Sequence, residues 1–256
     1  MSFPDSKFSL LVTILIIANI VMLRGEQFQV LLFTEAEGYH HQSIADGVQA
    51  MRKLSEKHNF GLHWTENSKI FSDSSLYNYD VVVFLNTGGN VLTKEEQKGL
   101  QKFYRKGNGF VGIHGAAATE LEWNWFGKLI GRRFIIHPTI QTAKVNIKGE
   151  GFPATYHLPD KMLWTEEWYE FGPELSNNLK YLITVDETTY NPKAKWEDKK
   201  GDGMGKFHPI AWYQKFEGGR AFYTGLGHIG VAFHDRVFLE HIYGGIYWAS
   251  QGEQKQ

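Results

Sequence analysis

Three short apolar runs constrain this chain most: "FQVLLF" at 28–33, "DVVVFL" at 80–85 and "GFVGI" at 109–113. The stretches between them carry helical periodicity. Ile44, Val48, Met51 and Leu54 share one face of residues 43–57. Thr93 with Glu96 three positions on is a capping-box pattern, which opens a helix running through Arg105. A continuous β-branched run suits a strand covered on both faces. Strands that alternate with helices require right-handed crossovers and a parallel sheet. The expected class is therefore α/β.

The rhythm changes in the second half. Residues 133–190 hold short strands and loops, and Thr188–Gly205 reads as a polar loop. Pro209–Phe216 and Arg220–Leu226 are two strand runs joined by Glu217-Gly218-Gly219, a hairpin signal that adds a β-hairpin to the sheet. Antiparallel pairing through that turn carries His208 and His228 to the same far end. Asp235 then opens a closing helix to about Ser250. No internal repeat interrupts this plan, so residues 29–250 are expected to form one domain.

Lys and Arg number 27 against 28 Asp and Glu, and they are dispersed, which argues against a nucleic-acid partner. There is no Cys, which excludes disulfides, thiolate metal sites, a Cys nucleophile and a lipoprotein anchor. Near the N-terminus, Lys7 precedes an apolar run from Phe8 to Leu23, broken by Ser9, Thr13 and Asn19. The run is shorter than the roughly 20 apolar residues that span a bilayer. Residues 1–25 are therefore read as a signal peptide, with a mature chain from about Glu26 that is periplasmic or secreted and has no stable membrane span. An uncleaved N-terminal anchor is the alternative.

The stretch "GFVGIHGAAATE" at 109–120 is written like a nucleophile elbow, a strand followed by a sharp turn among small residues. The slot that would hold Ser or Cys holds His114. Ligands of open α/β sheets bind beyond the carboxyl ends of the strands. The residues expected there are Glu35, Tyr39, His40 and His41 after the first strand, and Asn86 after the second apolar run. His114 follows the third, Glu187 follows "YLITV", and His228 ends the hairpin with His208 beside it. Five of the eleven histidines thus fall at strand ends, where polar groups gather into a pocket. His58 and His63 fall elsewhere, and His241 on the closing helix is assigned to structure.

These same residues carry a family resemblance. "EGYHHQSI", "GIHGAAATE", W-x-W-x-x-x-L-I-G, F-x-x-HP, HP-x-x-W and GR-x-F-Y-T-x-L-GH occur in order from about Gln29 to Trp248. Together they resemble the ThuA-like proteins of the trehalose-utilisation group. The resemblance implies a class I glutamine amidotransferase-like fold, a flavodoxin-like three-layer sandwich around a mostly parallel sheet, and a role in carbohydrate use. In amidotransferases of this fold the elbow holds Cys, and a later His with an adjacent Glu completes the triad. Here His208-Pro209 is followed by Ile210 and His228 by Ile229, so glutamine hydrolysis is not expected.

Two readings of the histidines stand side by side. In one, His114, His208 and His228, with His40 or His41, bind a divalent metal such as Zn, and Glu35 or Glu120 serves as base or further ligand. In the other, His114, His208, His228 and Glu35 are acid–base catalysts on a sugar without a metal. Tyr39, His40, His41, Asn86, Trp212 and Glu187 are the expected substrate contacts, and Trp123, Trp125 and Trp168 are further candidates for ring stacking. The expected substrate is a small carbohydrate, a glycoside or a keto-sugar derivative. The expected reaction is isomerisation, elimination or hydrolysis. A non-catalytic sugar-binding protein is the alternative function, and a homodimer is compatible with either.

Overall fold

The computed structural model describes residues 25–251. The apolar run at 8–23, and all of the signal peptide read from it but Gly25, lie outside them. Among the described residues no helix is long and apolar enough to cross a membrane.

The chain opens as β1 (Gln29–Phe33), α1 (Ile44–His58), β2 (Gly61–Thr65), β3 (Val81–Leu85), α2 (Lys94–Arg105) and β4 (Gly109–Ile113). All five residues of β3 and of β4 are buried, as strands covered on both faces must be. The capping box forms: the Thr93 side chain accepts from the Glu96 amide, and the Glu96 carboxylate accepts from the Thr93 amide. Then follow α3 (Asn124–Ile130), β5 (Phe134–Ile136), β6 (Gln141–Ile147), β7 (Lys161–Glu166), β8 (Glu170–Phe171), β9 (Lys180–Asp186), β10 (Ala194–Lys195), β11 (Lys200–Gly201), β12 (His208–Phe216), β13 (Gly219–Thr224) and α4 (Arg236–Ser250).

Among the described residues nine strands form one sheet in the order β2-β1-β3-β4-β13-β12-β9-β6-β7. The pairings from β2 through β13 are parallel. Those from β13 to β7 are antiparallel. The expected hairpin is therefore built into the sheet, where β13 is the last of the parallel strands and β12 begins the antiparallel part. Its turn residues Glu217 and Gly218 both have positive φ, 43° and 92°, the twist that suits a two-residue hairpin loop. The two parities of β4 show the layers. A Cβ on Gly109 would strike the Ala249 carbonyl of α4, and one on Gly112 would strike Ile130 of α3. Successive strand residues face opposite sides, so α4 and α3 cover opposite faces. The segment 188–205, read as loop, holds the β10–β11 pair, which closes over a short turn.

Candidate active site

At the end of β4 the chain turns through His114, whose φ is +45°. This left-handed backbone is costly for a residue with a Cβ and holds only when its surroundings fix it. Here they do. The Tyr223 hydroxyl donates to the His114 carbonyl oxygen at 2.9 Å. The His114 Nδ1 donates to the Gly225 carbonyl oxygen at 2.8 Å. The next residue has to be glycine, because a Cβ on Gly115 would lie 2.9 Å from the Thr87 carbonyl oxygen. With Nδ1 occupied, the Nε2 of His114 is the atom presented to the site.

That atom meets two groups. The Nδ1 of His228 is 3.2 Å away, and Oε2 of Glu167 is 3.4 Å away. The same carboxylate oxygen lies 3.1 Å from His228 Nδ1. The other oxygen lies 3.2 Å from Nδ1 of His137, which also donates to the Pro138 carbonyl oxygen at 2.8 Å. His41 completes the group, its ring edge-on to both His114 and His228 at centroid distances of 5.0 and 5.3 Å. His41 is 6% exposed, and its Nδ1 is buried without a hydrogen-bond partner among the described residues. Tyr169 lies over His114, with 4.1 Å between ring centroids.

The neighbouring carboxylate builds the loop behind these groups. Glu166 is fully buried and accepts from the amides of Gly227, His228 and Glu167. Burial pushes its pKa up. For Glu167 burial acts in the same direction, but the hydrogen bonds to His114 and His228 and their charge outweigh it and hold its pKa near 2. Adjacent carboxyls are thus driven apart, one toward its acid form and one held as an anion. Burial first, then the neighbouring His114 and His228, depresses His41 to about 3. Burial also pulls His228 down, but Glu167 more than offsets this, and the net shift is upward.

These groups sit beside a cavity of about 470 Å³, a size ordinary for small-molecule sites. Tyr39, His41, Glu37, Thr87, Gly88, Gly89, Gly115 and Ala118 line it from the strand ends, and Phe134, His137, Glu167, Tyr169 and Trp196 line it from the second half of the chain. The short β5–β8 pairing organises that second contribution, since Phe134 lies in β5 and Glu167 and Tyr169 lead into β8.

The structure brings His41, His114 and His228 together and leaves other expected residues apart. His40 is exposed, and Tyr39 lies on the cavity rim at 67% exposure. Glu35 is half-buried and does not line the cavity; Glu37 takes that place. His208 reaches the same end of the hairpin as His228, but it joins a different network. Its Nδ1 lies 2.6 Å from Glu187 and 3.1 Å from the Tyr190 hydroxyl, and its Nε2 donates to the Tyr169 carbonyl oxygen at 2.8 Å, so neither nitrogen is free to ligate an ion beside His114. Glu187 is likewise occupied, accepting from His208 and from the amides of Met204 and Gly205, outside the cavity. Asn86 is a buried tie: its amide donates to Ser43 Oγ and the Gly227 carbonyl oxygen, and its Oδ1 accepts from the Gly115 amide. Trp212 is 1% exposed and donates to the Ile130 carbonyl oxygen, so it packs the core and cannot stack on a ligand. Trp168 and Trp125 are also buried, and Trp123 packs on Trp125 and Phe126. Glu120 accepts from the Leu92 amide and Gln97, fastening a loop. His241 is structural as expected, since it donates to the Ala154 carbonyl oxygen and accepts from Thr224 Oγ1.

Glu167, His137, Phe134, Tyr169 and Trp196 were not anticipated as site residues. Phe134 and His137 lie inside the F-x-x-HP motif, and "EEWYEF" at 166–171 joins paired carboxylates to aromatics. Those were the available signals.

Comparison with known proteins agrees with this architecture. The family described as ThuA, trehalose utilisation, matches residues 29–249. No curated protein matches the chain. Among solved structures it is similar to a ThuA-like protein from Bacteroides uniformis, with 24% identity and a TM-score of 0.75 over 88% of this chain and 92% of that one. It is also similar to a ThuA-like protein from Parabacteroides merdae, with 18% identity and a TM-score of 0.69 over 90% and 92%. PurLQS from Thermotoga maritima shares the fold at 9% identity, with a TM-score of 0.51 over 86% and 99%. The fold is glutamine amidotransferase-like. The chain belongs to the ThuA family, whose description assigns it a role in carbohydrate utilisation.

Proposed function

We propose that this protein is an enzyme that moves a proton on a sugar, glycoside or keto-sugar derivative, in isomerisation, elimination or hydrolysis. One observation carries the reading. The elbow imidazole of His114 and the His228–Glu167 pair meet beside a cavity walled by Tyr39, Phe134, Tyr169 and Trp196. Aromatic rings offer flat apolar surface to the faces of a sugar ring, and a few convergent polar groups orient its hydroxyls. The imidazole of His228, hydrogen-bonded to a carboxylate that orients it, has the arrangement of a general base. In this reading His114, whose Nε2 lies 3.2 Å from His228 Nδ1, would relay the proton behind that pair. His208 acts as a positioning residue, holding the Tyr169 backbone whose ring covers His114. An elbow with imidazole in place of a thiol or hydroxyl supports proton transfer over acyl transfer.

The test is a panel of sugars, glycosides and their keto derivatives, assayed with wild type and Glu167→Gln. Turnover of one member by the wild type and a fall of about 10²-fold or more in the variant is the expected result. Saturable sugar binding with no turnover across the panel would instead identify a binding protein.

A further inference from the structure

We propose that His41, His114, Glu167 and His228 form a centre for one divalent first-row transition ion, such as Zn²⁺, at the cavity beyond β4. Each residue offers one ligand atom, and all four atoms lie within 4.8 Å of one another. Three of them are closer still: His114 Nε2, His228 Nδ1 and Glu167 Oε2 form a triangle with sides of 3.1, 3.2 and 3.4 Å. Ligands bound at about 2.0–2.1 Å in tetrahedral geometry stand about 3.3 Å apart, so this triangle already has the dimensions of one face of such a centre.

The surroundings point the same way. A ligating histidine ordinarily donates its other ring nitrogen to a carbonyl or carboxylate, which fixes the tautomer. His114 does so through Nδ1 to the Gly225 carbonyl oxygen, leaving Nε2 as the lone-pair atom. His41 Nδ1 is buried and has no hydrogen-bond partner among the described residues, and coordination through that nitrogen would satisfy it. The Glu166 carboxylate fixes the backbone of both Glu167 and His228, which holds two of the ligands in register. The donor set of three imidazoles and one carboxylate suits Zn²⁺ and its first-row neighbours better than Ca²⁺ or Mg²⁺, which prefer all-oxygen sites. His41 and Glu167 both line the cavity, so a ligand entering it would meet the ion from that side. Vicinal hydroxyls or an α-hydroxyketone are the groups that would chelate it there.

With the ion bound these residues act as its ligands, and the acid–base roles proposed above belong to the metal-free site; this inference does not depend on turnover of any sugar, and neither does its test. Untagged full chain, stripped with a chelator, is titrated with Zn²⁺ by calorimetry and with Co²⁺ by visible absorption. The expected result is one ion per chain and Co²⁺ d–d bands of low coordination number. Affinity should fall by about 100-fold or more in His114→Gln and in Glu167→Gln. His41→Gln, which alters only a loop side chain, should weaken binding and shift the Co²⁺ bands while its far-UV circular dichroism stays that of wild type. His40→Ala should retain the stoichiometry and the bands. Absence of saturable binding, or binding unchanged in folded His41→Gln and Glu167→Gln, would overturn the proposal. So would binding that is lost on removing His208 and retained on removing Glu167.

Discussion

Tyr223 holds His114 by its backbone: the phenol donates over 2.9 Å to the carbonyl oxygen of a residue whose φ is +45°. Tyr223 lies in β13 and His114 follows β4, and the two strands pair in parallel, with Tyr223 opposite Gly112. The sheet register therefore sets the elbow. If so, Tyr223→Phe leaves a buried carbonyl oxygen without its donor and frees a strained turn. The expected cost is about 1–3 kcal/mol of stability, measured by urea denaturation. Turnover should fall with it, because the imidazole would no longer be aimed by a fixed backbone. A variant as stable and as active as wild type would show that the Gly225 contact alone holds the turn.

His241 makes stability depend on pH. Burial depresses its pKa to about 4, whereas the unfolded chain should titrate near the ordinary 6.5. Between those values the unfolded state binds the extra proton, so stability is fully present above about pH 6.5 and falls as pH drops toward 4. One such group changes stability by up to about 1.4 kcal/mol per pH unit, and by an amount on the order of 3 kcal/mol over the whole window. His241→Gln should be less stable at neutral pH and should show a shallower loss of stability from pH 7 to 5. Parallel curves for variant and wild type would assign the acid sensitivity elsewhere.

Export is proposed from Lys7 and the apolar run at 8–23. N-terminal sequencing of the protein isolated from its native cell should begin near Glu26. A chain recovered from the cytoplasm with Met1 intact would contradict it.

The parallel half of the fold was legible because its signals are local. "DVVVFL" and "GFVGI" are buried on both faces, and Thr93 and Glu96 meet in the capping box their spacing implies. The elbow was legible for the same reason, since a strand, a turn and small residues lie consecutively at 109–118. The site as a whole was only partly legible. His41, His114 and His228 each follow a strand of the parallel set or the hairpin, and position in sequence located them. Glu167 follows β7, at the far edge of the sheet from β1, and reaches His114 only because the chain turns back into the β5–β8 pair. No short-range pattern encodes that path. Asn86 misled for the opposite reason. It stands at a strand end, as a ligand-binding residue would, but its three hydrogen bonds are spent joining Ser43, Gly115 and Gly227. Trp212 misled because alternation along β12 does not tell which face meets the core, and both faces of that strand are covered.

The central claim is that His114 on its elbow works with Glu167 and His228 on a carbohydrate. The most direct measurement is kcat/KM of His114→Gln on the best substrate of the sugar panel, beside its melting temperature. The expected result is a melting temperature close to that of wild type and a rate lower by about 10²–10⁴-fold, the range for loss of an acid–base group. A folded variant that turns the substrate over at the wild-type rate would contradict the claim and leave the elbow as a feature of the fold alone.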